Sequence, residues 1–262
     1  MPELPEVEVA RRNLTRWVVG ASLARVALRD SARFDGQLHA LIDSVCLEWK
    51  RRGKMLLARF DNGLGLMSHL GMTGKWVRDD LEERAHCRIW LATSKGVGVS
   101  LVDTRRFGRT WVRGYDELIA HPRWRRLGPD ALDTPLDGPS LAERVGARRT
   151  ALKNRLLDQA VVAGLGNIAV VEACWRARVH PHTPCVDVDT ESWERLAVSI
   201  VTHLDHVLEV EDGDEIIYLS ERGATNPFLV YGRSGQPCPR CSVTLCGGAL
   251  SGRPSVWCPA CQ

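Results

Sequence analysis

The chain has 262 residues, 44% of them hydrophobic and 26% charged, enough to bury a core and to form two domains plus a small module; no disordered or collagen-like composition is present. No apolar stretch is long enough for a membrane span, and the start lacks the basic-then-apolar pattern of a secretory leader, so a cytosolic protein is the default expectation. The net charge of +3 singles out no partner, but its distribution does.

In chain order, the opening Pro2-Glu3-Leu4-Pro5-Glu6-Val7-Glu8 leads into an amphipathic helix over 5–19, with Val7, Ala10, Leu14 and Val18 on one face and Gly20 as its stop. Pro2 carries chemistry if Met1 is removed. A terminal amine with a pKa of ~7.7–8.0 is partly neutral at pH 7, and a secondary amine yields an iminium that is cationic without protonation and draws electrons in an elimination. Alternatively, Pro2 and Pro5 only stiffen the helix entry, and Glu3, Glu6 and Glu8 complement its dipole.

Short apolar runs follow, predicting strands over 22–28, 44–50, 55–60, 64–69, 87–92, 97–102 and 109–113, a β-sandwich or barrel pattern. Residues 114–139, with four prolines, read as a linker with at most short helices. Helical periodicity then covers 140–145 and 150–159, breaks at 163–167, and resumes over 168–178 and 190–208. Trp175 and Trp193 are expected in the core. Residues 209–225 are acidic and expected to be solvated or to point away from phosphates. Arginine dominates the cations, only five of 35 being lysine, and it clusters over 105–126, where seven arginines face Asp116 and Glu117. Guanidinium forks suit bidentate phosphate contacts, although solvated faces are also arginine-rich.

Nine cysteines in a reducing compartment favour metal binding over disulfides. Cys46, Cys87, Cys174 and Cys185 are scattered and read as ordinary thiols. Cys238, Cys241, Cys258 and Cys261 form a C-x2-C-x16-C-x2-C pattern. Four thiolates fill a tetrahedral Zn²⁺ shell and leave no open position, so one structural zinc within a β-hairpin is expected; Cys246 is the weaker alternative ligand.

Together, the Pro2–Glu8 run, Gly164-Leu165-Gly166-Asn167-Ile168 between two helices and the four-cysteine hairpin resemble the formamidopyrimidine-DNA glycosylase/endonuclease VIII family along essentially the whole chain. The resemblance implies an α+β protein: an N-terminal catalytic β-sandwich domain (1–128) flanked by helices, a helix-two-turn-helix domain (129–225) and a zinc finger (228–262). It implies Pro2 as the amine attacking the sugar C1′ and Glu3 as the acid on the sugar ring oxygen. Lys54 and Arg253 match positions that grip phosphate and assist the reaction, and Lys153, Asn167 and Tyr231 match DNA-contact positions. Met72, Arg105 and Phe107 match a trio that fills the gap left by an extruded nucleotide, a step required because the stacked duplex hides C1′; Met72 and Phe107 could instead be core residues.

The implied activity is a bifunctional DNA glycosylase and abasic-site lyase acting on oxidised purines, formamidopyrimidine and 8-oxoguanine, in damaged double-stranded DNA. A monomer needing neither membrane nor nucleotide cofactor is expected. One segment departs from the pattern: the glycine- and threonine-rich cover of the formamidopyrimidine branch is replaced by the shorter, acidic 213–227. This leaves room for oxidised pyrimidines or other adducts. A zinc-containing protein that binds damaged DNA without cutting it is the alternative of another class.

Overall fold

The computed structural model describes residues 2–80, 84–211, 213–219, 221, 224 and 226–262. The chain divides into two compact units, residues 1–126 with 211–224, and residues 127–210 with 225–262.

The first unit opens with α1 (Leu4–Val18), whose Pro5 sits in the first turn where no amide hydrogen is needed. Glu3 caps it: its side chain accepts from the Glu6 N–H while its own N–H donates to Glu6 Oε2 at 2.9 Å. Strands β1 (Leu23–Leu28), β2 (Cys46–Arg52), β3 (Met55–Phe60), β4 (Leu64–His69), β5 (Lys75–Arg78), β6 (Cys87–Thr93), β7 (Gly98–Val102) and β8 (Arg109–Gly114) follow. They form two four-stranded antiparallel sheets, ordered β1-β6-β7-β5 and β2-β3-β4-β8. Trp76 of β5 bridges the sheets. It meets Trp49 of β2 edge-on at 6.2 Å and donates from Nε1 to Ser68 Oγ of β4 at 3.3 Å. Strand β5 escapes sequence reading because its four residues, preceded by Gly74 and bounded by charged Lys75 and Arg78, are too few to show a period.

Helix α1 packs on β2, β3 and β5. Its Glu8 is buried against Arg51 of β2 at 3.0 Å and also holds Arg11 and Arg12. Burial works against that charge, but hydrogen bonds from Arg11 and Arg51 prevail and hold the carboxyl at about 2. The expected linker contains two short helices, α2 (Tyr115–Ala120) and α3 (Pro122–Arg125).

The second unit contains α4 (Gly138–Val145), α5 (Leu152–Leu156), α6 (Asn167–Ala177), α7 (Thr190–Val210) and a hairpin of β9 (Cys246–Leu250) and β10 (Arg253–Trp257). The helix expected over 150–159 shrinks to five residues. Its end tightens into turns around Asp158, and Gln159 staples the following loop by donating to Leu165 O and accepting from the Gly164 N–H. The spacing of helix α7 predicts a buried stripe of Trp193, Leu196, Ala197, Ile200, Val201, Leu204, Val207 and Leu208; all are buried except Val201 and Leu208, which are half-buried, and the helix additionally buries His203, which lies beside Phe228 at 6.0 Å. The hairpin rests on α6 through Val171, Trp175, Val230, Leu245 and Val256.

Among the described residues of 211–224, positions 213–215, 217 and 219 are exposed as expected of a solvated loop, but two residues face inward. Ile216 and Tyr218 are buried within the first unit, and Tyr218 donates its hydroxyl to Gly74 O at 2.7 Å. Their acids find cations: Lys75 Nζ binds Glu215 at 2.8 Å and Glu221 at 2.9 Å, Arg84 takes Glu215, and Arg16 takes Asp214. Polar composition concealed two inward-facing residues, because the surrounding charges are neutralised by partners distant in sequence. Among the described residues, no helix is long and apolar enough to cross a membrane.

Candidate active site and metal centre

Pro2 is buried immediately before the Glu3 cap of α1. Glu3 and Glu6 exchange cap hydrogen bonds, so Glu3 is oriented by the helix it begins. Burial, and next the Glu3 carboxylate, push the Glu6 carboxyl up to about 7. Burial, and next Glu6, push Glu211 up to about 8. The segment thus brings a further acid close to Glu6. Sequence reading missed this carboxyl pair. The Glu3-x-x-Glu6 spacing signals the cap, but nothing local signals Glu211.

Lys54 stands in the two-residue turn between β2 and β3, where Gly53 takes a φ of 53° that a side chain would resist. Its charge and that of Arg123 reinforce the burial that lowers His69 to about 4, so His69 is neutral near pH 7 and accepts from the Gly71 N–H through Nδ1 at 3.1 Å.

Met72, Arg105 and Phe107 stand on two adjoining loops of the first unit. Met72 and Phe107 are 36% and 44% exposed, too open for core residues. Gly71 has a φ of 69°, and a Cβ there would overlap the Phe107 backbone, so at this point the loops approach main chain to main chain. Arg105 lies over the Phe107 ring at 5.0 Å. Between them Arg106 adopts a φ of 59° and pairs with Asp30 at 2.6 and 2.9 Å.

In the second unit Asn167 begins α6, and its Nδ2 donates to Pro254 O at 3.0 Å. Lys153 Nζ donates to the same oxygen at 2.6 Å and to Ser255 Oγ at 2.7 Å. Burial, with the nearby Arg253 charge, lowers Lys153 to about 8. Its ammonium is enclosed against the hairpin beside exposed Arg253. Tyr231 is half-buried, packed edge-on against Phe228 at 6.0 Å. A residue absent from the sequence reading holds this strap: the carboxylate of Glu172, completely buried, accepts from the N–H groups of Leu229, Val230 and Tyr231 at 3.1, 2.8 and 2.8 Å. A lone glutamate in an apolar helix, Val170-Val171-Glu172-Ala173, was its available signal.

The four terminal cysteines converge, their sulfurs all within 4.8 Å of one another. Cys238 lies 4.0 Å from Cys261 and Cys241 3.4 Å from Cys258, close to the spacing of thiolates around a single tetrahedral ion. Burial opposes ionisation of Cys238, but N–H groups including that of Arg240 outweigh it and bring it to about 6; Cys241 and burial instead drive Cys261 up to about 12. A donor set in which one thiolate opposes ionisation of the next suits a cation at its centre. Cys246 lies outside this cluster.

A β-sandwich led by a proline-capped helix, joined to a glycine-broken helix pair and a four-cysteine hairpin, defines a two-unit protein of the helix-two-turn-helix class. Residues 1–110 match the formamidopyrimidine-DNA glycosylase N-terminal domain and residues 127–217 the formamidopyrimidine-DNA glycosylase H2TH domain. The formamidopyrimidine-DNA glycosylase of Thermomicrobium roseum is 38% identical over 298 residues, covering 100% of this chain and 99% of that protein. That of Desulfitobacterium hafniense is 33% identical over 273 residues, covering 100% of both. Among solved structures, MutM (Fpg) from Thermus thermophilus is 35% identical with a TM-score of 0.86, covering 100% of this chain and 98% of that one. Lactococcus lactis Fpg in complex with DNA containing an abasic site is 28% identical with a TM-score of 0.89, covering 99% of each chain. The chain belongs to the formamidopyrimidine-DNA glycosylase family of DNA-repair enzymes.

Proposed function

We propose that the chain removes oxidised purines, formamidopyrimidine and 8-oxoguanine, from duplex DNA and cleaves the resulting abasic strand through a Schiff base at Pro2. The observation that carries this reading is the placement of Pro2 at the amino end of α1, directly before an oriented Glu3. After loss of Met1, the neutral imino nitrogen attacks C1′ while Glu3 protonates the sugar ring oxygen. The ring opens, the damaged base leaves with the former C1′–N electron pair, and an iminium forms. Loss of a C2′ proton then expels the 3′ phosphate, and a second elimination expels the 5′ phosphate. Met72, Arg105 and Phe107 fill the vacated stack. Lys54 and Arg253 take phosphates, Asn167 offers the amino end of α6 to another, and Tyr231 lines the DNA path.

We assign Zn²⁺ to Cys238, Cys241, Cys258 and Cys261, where its four-thiolate coordination would stabilise the hairpin. The enzyme is proposed to act as a cytosolic monomer on damaged double-stranded DNA. One observation favours a second substrate range, oxidised pyrimidines: the segment expected to cover an extruded purine clusters with the first unit and carries Asp214, Glu215 and Glu221.

Borohydride trapping tests the chemistry. Protein whose intact mass shows loss of Met1 is expected to form a covalent adduct with duplexes containing 8-oxoguanine or an abasic site. A chain retaining Met1 should form none, because its Pro2 nitrogen is an amide. Equal trapping by both forms would remove Pro2 from the mechanism, and a preference for oxidised pyrimidines would select the second substrate range.

A further inference from the structure

The geometry points to Asp103 as the positioning residue that joins the two void-filling loops into one rigid wedge. This rests on the proposed roles of Met72, Arg105 and Phe107. Asp103 is fully buried at the end of β7, and its carboxylate serves both loops. Oδ1 accepts the Thr73 hydroxyl at 2.6 Å, next to Met72, and the Arg105 N–H at 3.2 Å; Oδ2 accepts the Gly108 N–H at 2.7 Å, next to Phe107. The Arg105 N–H also reaches Thr73 Oγ1 at 3.2 Å, closing a ring of hydrogen bonds between the loops.

The anchor is itself anchored. The Asp103 N–H donates to His86 O at 3.1 Å, and its carbonyl accepts from Arg88 Nε at 2.9 Å. Both contacts come from the neighbouring chain at β6, so the carboxylate is fixed relative to the sheet. A side chain on Gly71 would strike the Phe107 backbone, and one on Gly108 would stand 3.0 Å from Asp103 Oδ2. The loops therefore meet by close main-chain approach, with a carboxylate filling the donor-rich gap beneath them.

The consequence concerns the insertion step. A wedge entering stacked bases must deliver Met72, Arg105 and Phe107 together, because a side chain that lags leaves a cavity that the extruded nucleotide can re-enter. Hydrogen bonds to an ionised acceptor are short and strong, and the buried setting leaves water little chance to replace them. The carboxylate of Asp103 is taken up by Thr73, Arg105 and Gly108, so its effect is expected in extrusion and not in the covalent step.

The test compares Asp103→Asn, Thr73→Val and Thr73→Ser in single-turnover reactions of the full-length, zinc-loaded protein. Asparagine keeps the shape of the side chain but turns a donor toward an existing donor. On a duplex with 8-oxoguanine opposite cytosine, Asp103→Asn is expected to slow excision at least about tenfold. Thr73→Val should slow it several-fold, and Thr73→Ser, which keeps the hydroxyl, should retain the parent rate. Borohydride capture of a single-stranded abasic site, which needs no extrusion, should stay within about twofold of the parent for all three. A 2-aminopurine beside the lesion should report slower unstacking in the same order. Unchanged duplex excision by both Asp103→Asn and Thr73→Val would overturn the proposal, as would equal losses on the two substrates. Met72→Ala and Phe107→Ala separate the levels. If neither slows unstacking, the void-filling reading itself fails; if they do and Asp103→Asn does not, only the role of Asp103 falls.

Discussion

In the first unit Leu56, Leu57, Leu66 and Leu101 are wholly enclosed by strands and sheet partners, whereas β9 of the terminal hairpin exposes Gly247, Gly248 and Ala249, and β10 buries only Ser255 and Val256. The sandwich makes its own interior. The hairpin borrows one, resting Val256 and Leu245 on Trp175 and Val171 of α6, and gathers four sulfurs where apolar volume is lacking. A chain can thus hold one segment by hydrophobic burial and present Arg253 from another with little core, provided that specific polar bonds replace the missing area.

The largest expected effect is the most direct way to break this contrast. Metal removal by a chelator, or Cys258→Ser, should unfold the hairpin while leaving the first unit intact, since four-thiolate zinc sites supply roughly 10–16 kcal/mol to short modules. Hydrogen exchange should show lost protection over 238–261 and unchanged protection in β3, β4 and β7; parallel loss in both regions would contradict the contrast.

Next in size is Glu172→Ala, which leaves the buried Val230 N–H and the partly buried N–H groups of Leu229 and Tyr231 without this acceptor. At about 1–3 kcal/mol for a group so stranded, the strap 229–231 should loosen and the second unit melt several degrees lower. Glu172→Gln should fall between the two, because its amide retains one oxygen. Calorimetry together with proteolysis near Tyr231 measures the outcome.

The smallest effect sharpens the comparison within the first unit. Glu6 and Glu211 have folded pKa values raised from 4.5 to about 7 and about 8, so the stability linked to their shared burial is full below 4.5 and is lost as the pH rises through those values. Glu8, held at about 2, contributes with the opposite sign: its stabilisation is present above 4.5 and lost as the pH falls through about 2. Glu211→Gln should therefore flatten the alkaline decline, by on the order of a kcal/mol at pH 9, and leave the acid limb unchanged. Exchange protection of residues 213–219 between pH 5 and 9 reads the effect directly.

Much of this arrangement was legible in the sequence because it is written locally. Turn residues separate the strands, the spacing of Cys238, Cys241, Cys258 and Cys261 implies convergence, and the apolar stripe of α7 follows its helical period. What sequence reading missed depends on partners distant along the chain. Lys75 looks like a surface charge until Glu215 and Glu221 are placed beside it, and Glu172 looks anomalous until residues 229–231 supply its donors. Lys153 is a further case: nothing near it in the sequence announces the hydrogen bonds that it makes to Pro254 and Ser255, about 100 residues away. The catalytic candidates Pro2 and Glu3 were legible because helix capping confines its signal to a few neighbouring residues.

The return of residues 211–224 to the first unit has a consequence for biosynthesis. The sandwich is not finished when its eighth strand leaves the ribosome. Ile216 and Tyr218 emerge roughly 100 residues after β8, which at about 5–20 residues per second is a wait on the order of 5–20 s. During that interval Lys75 lacks Glu215 and Glu221, and Gly74 O lacks the Tyr218 hydroxyl. The nascent polypeptide therefore acquires the final lock on its Met72 loop only after the helical portion has been made, which ties maturation of the amino-terminal half to nearly complete translation.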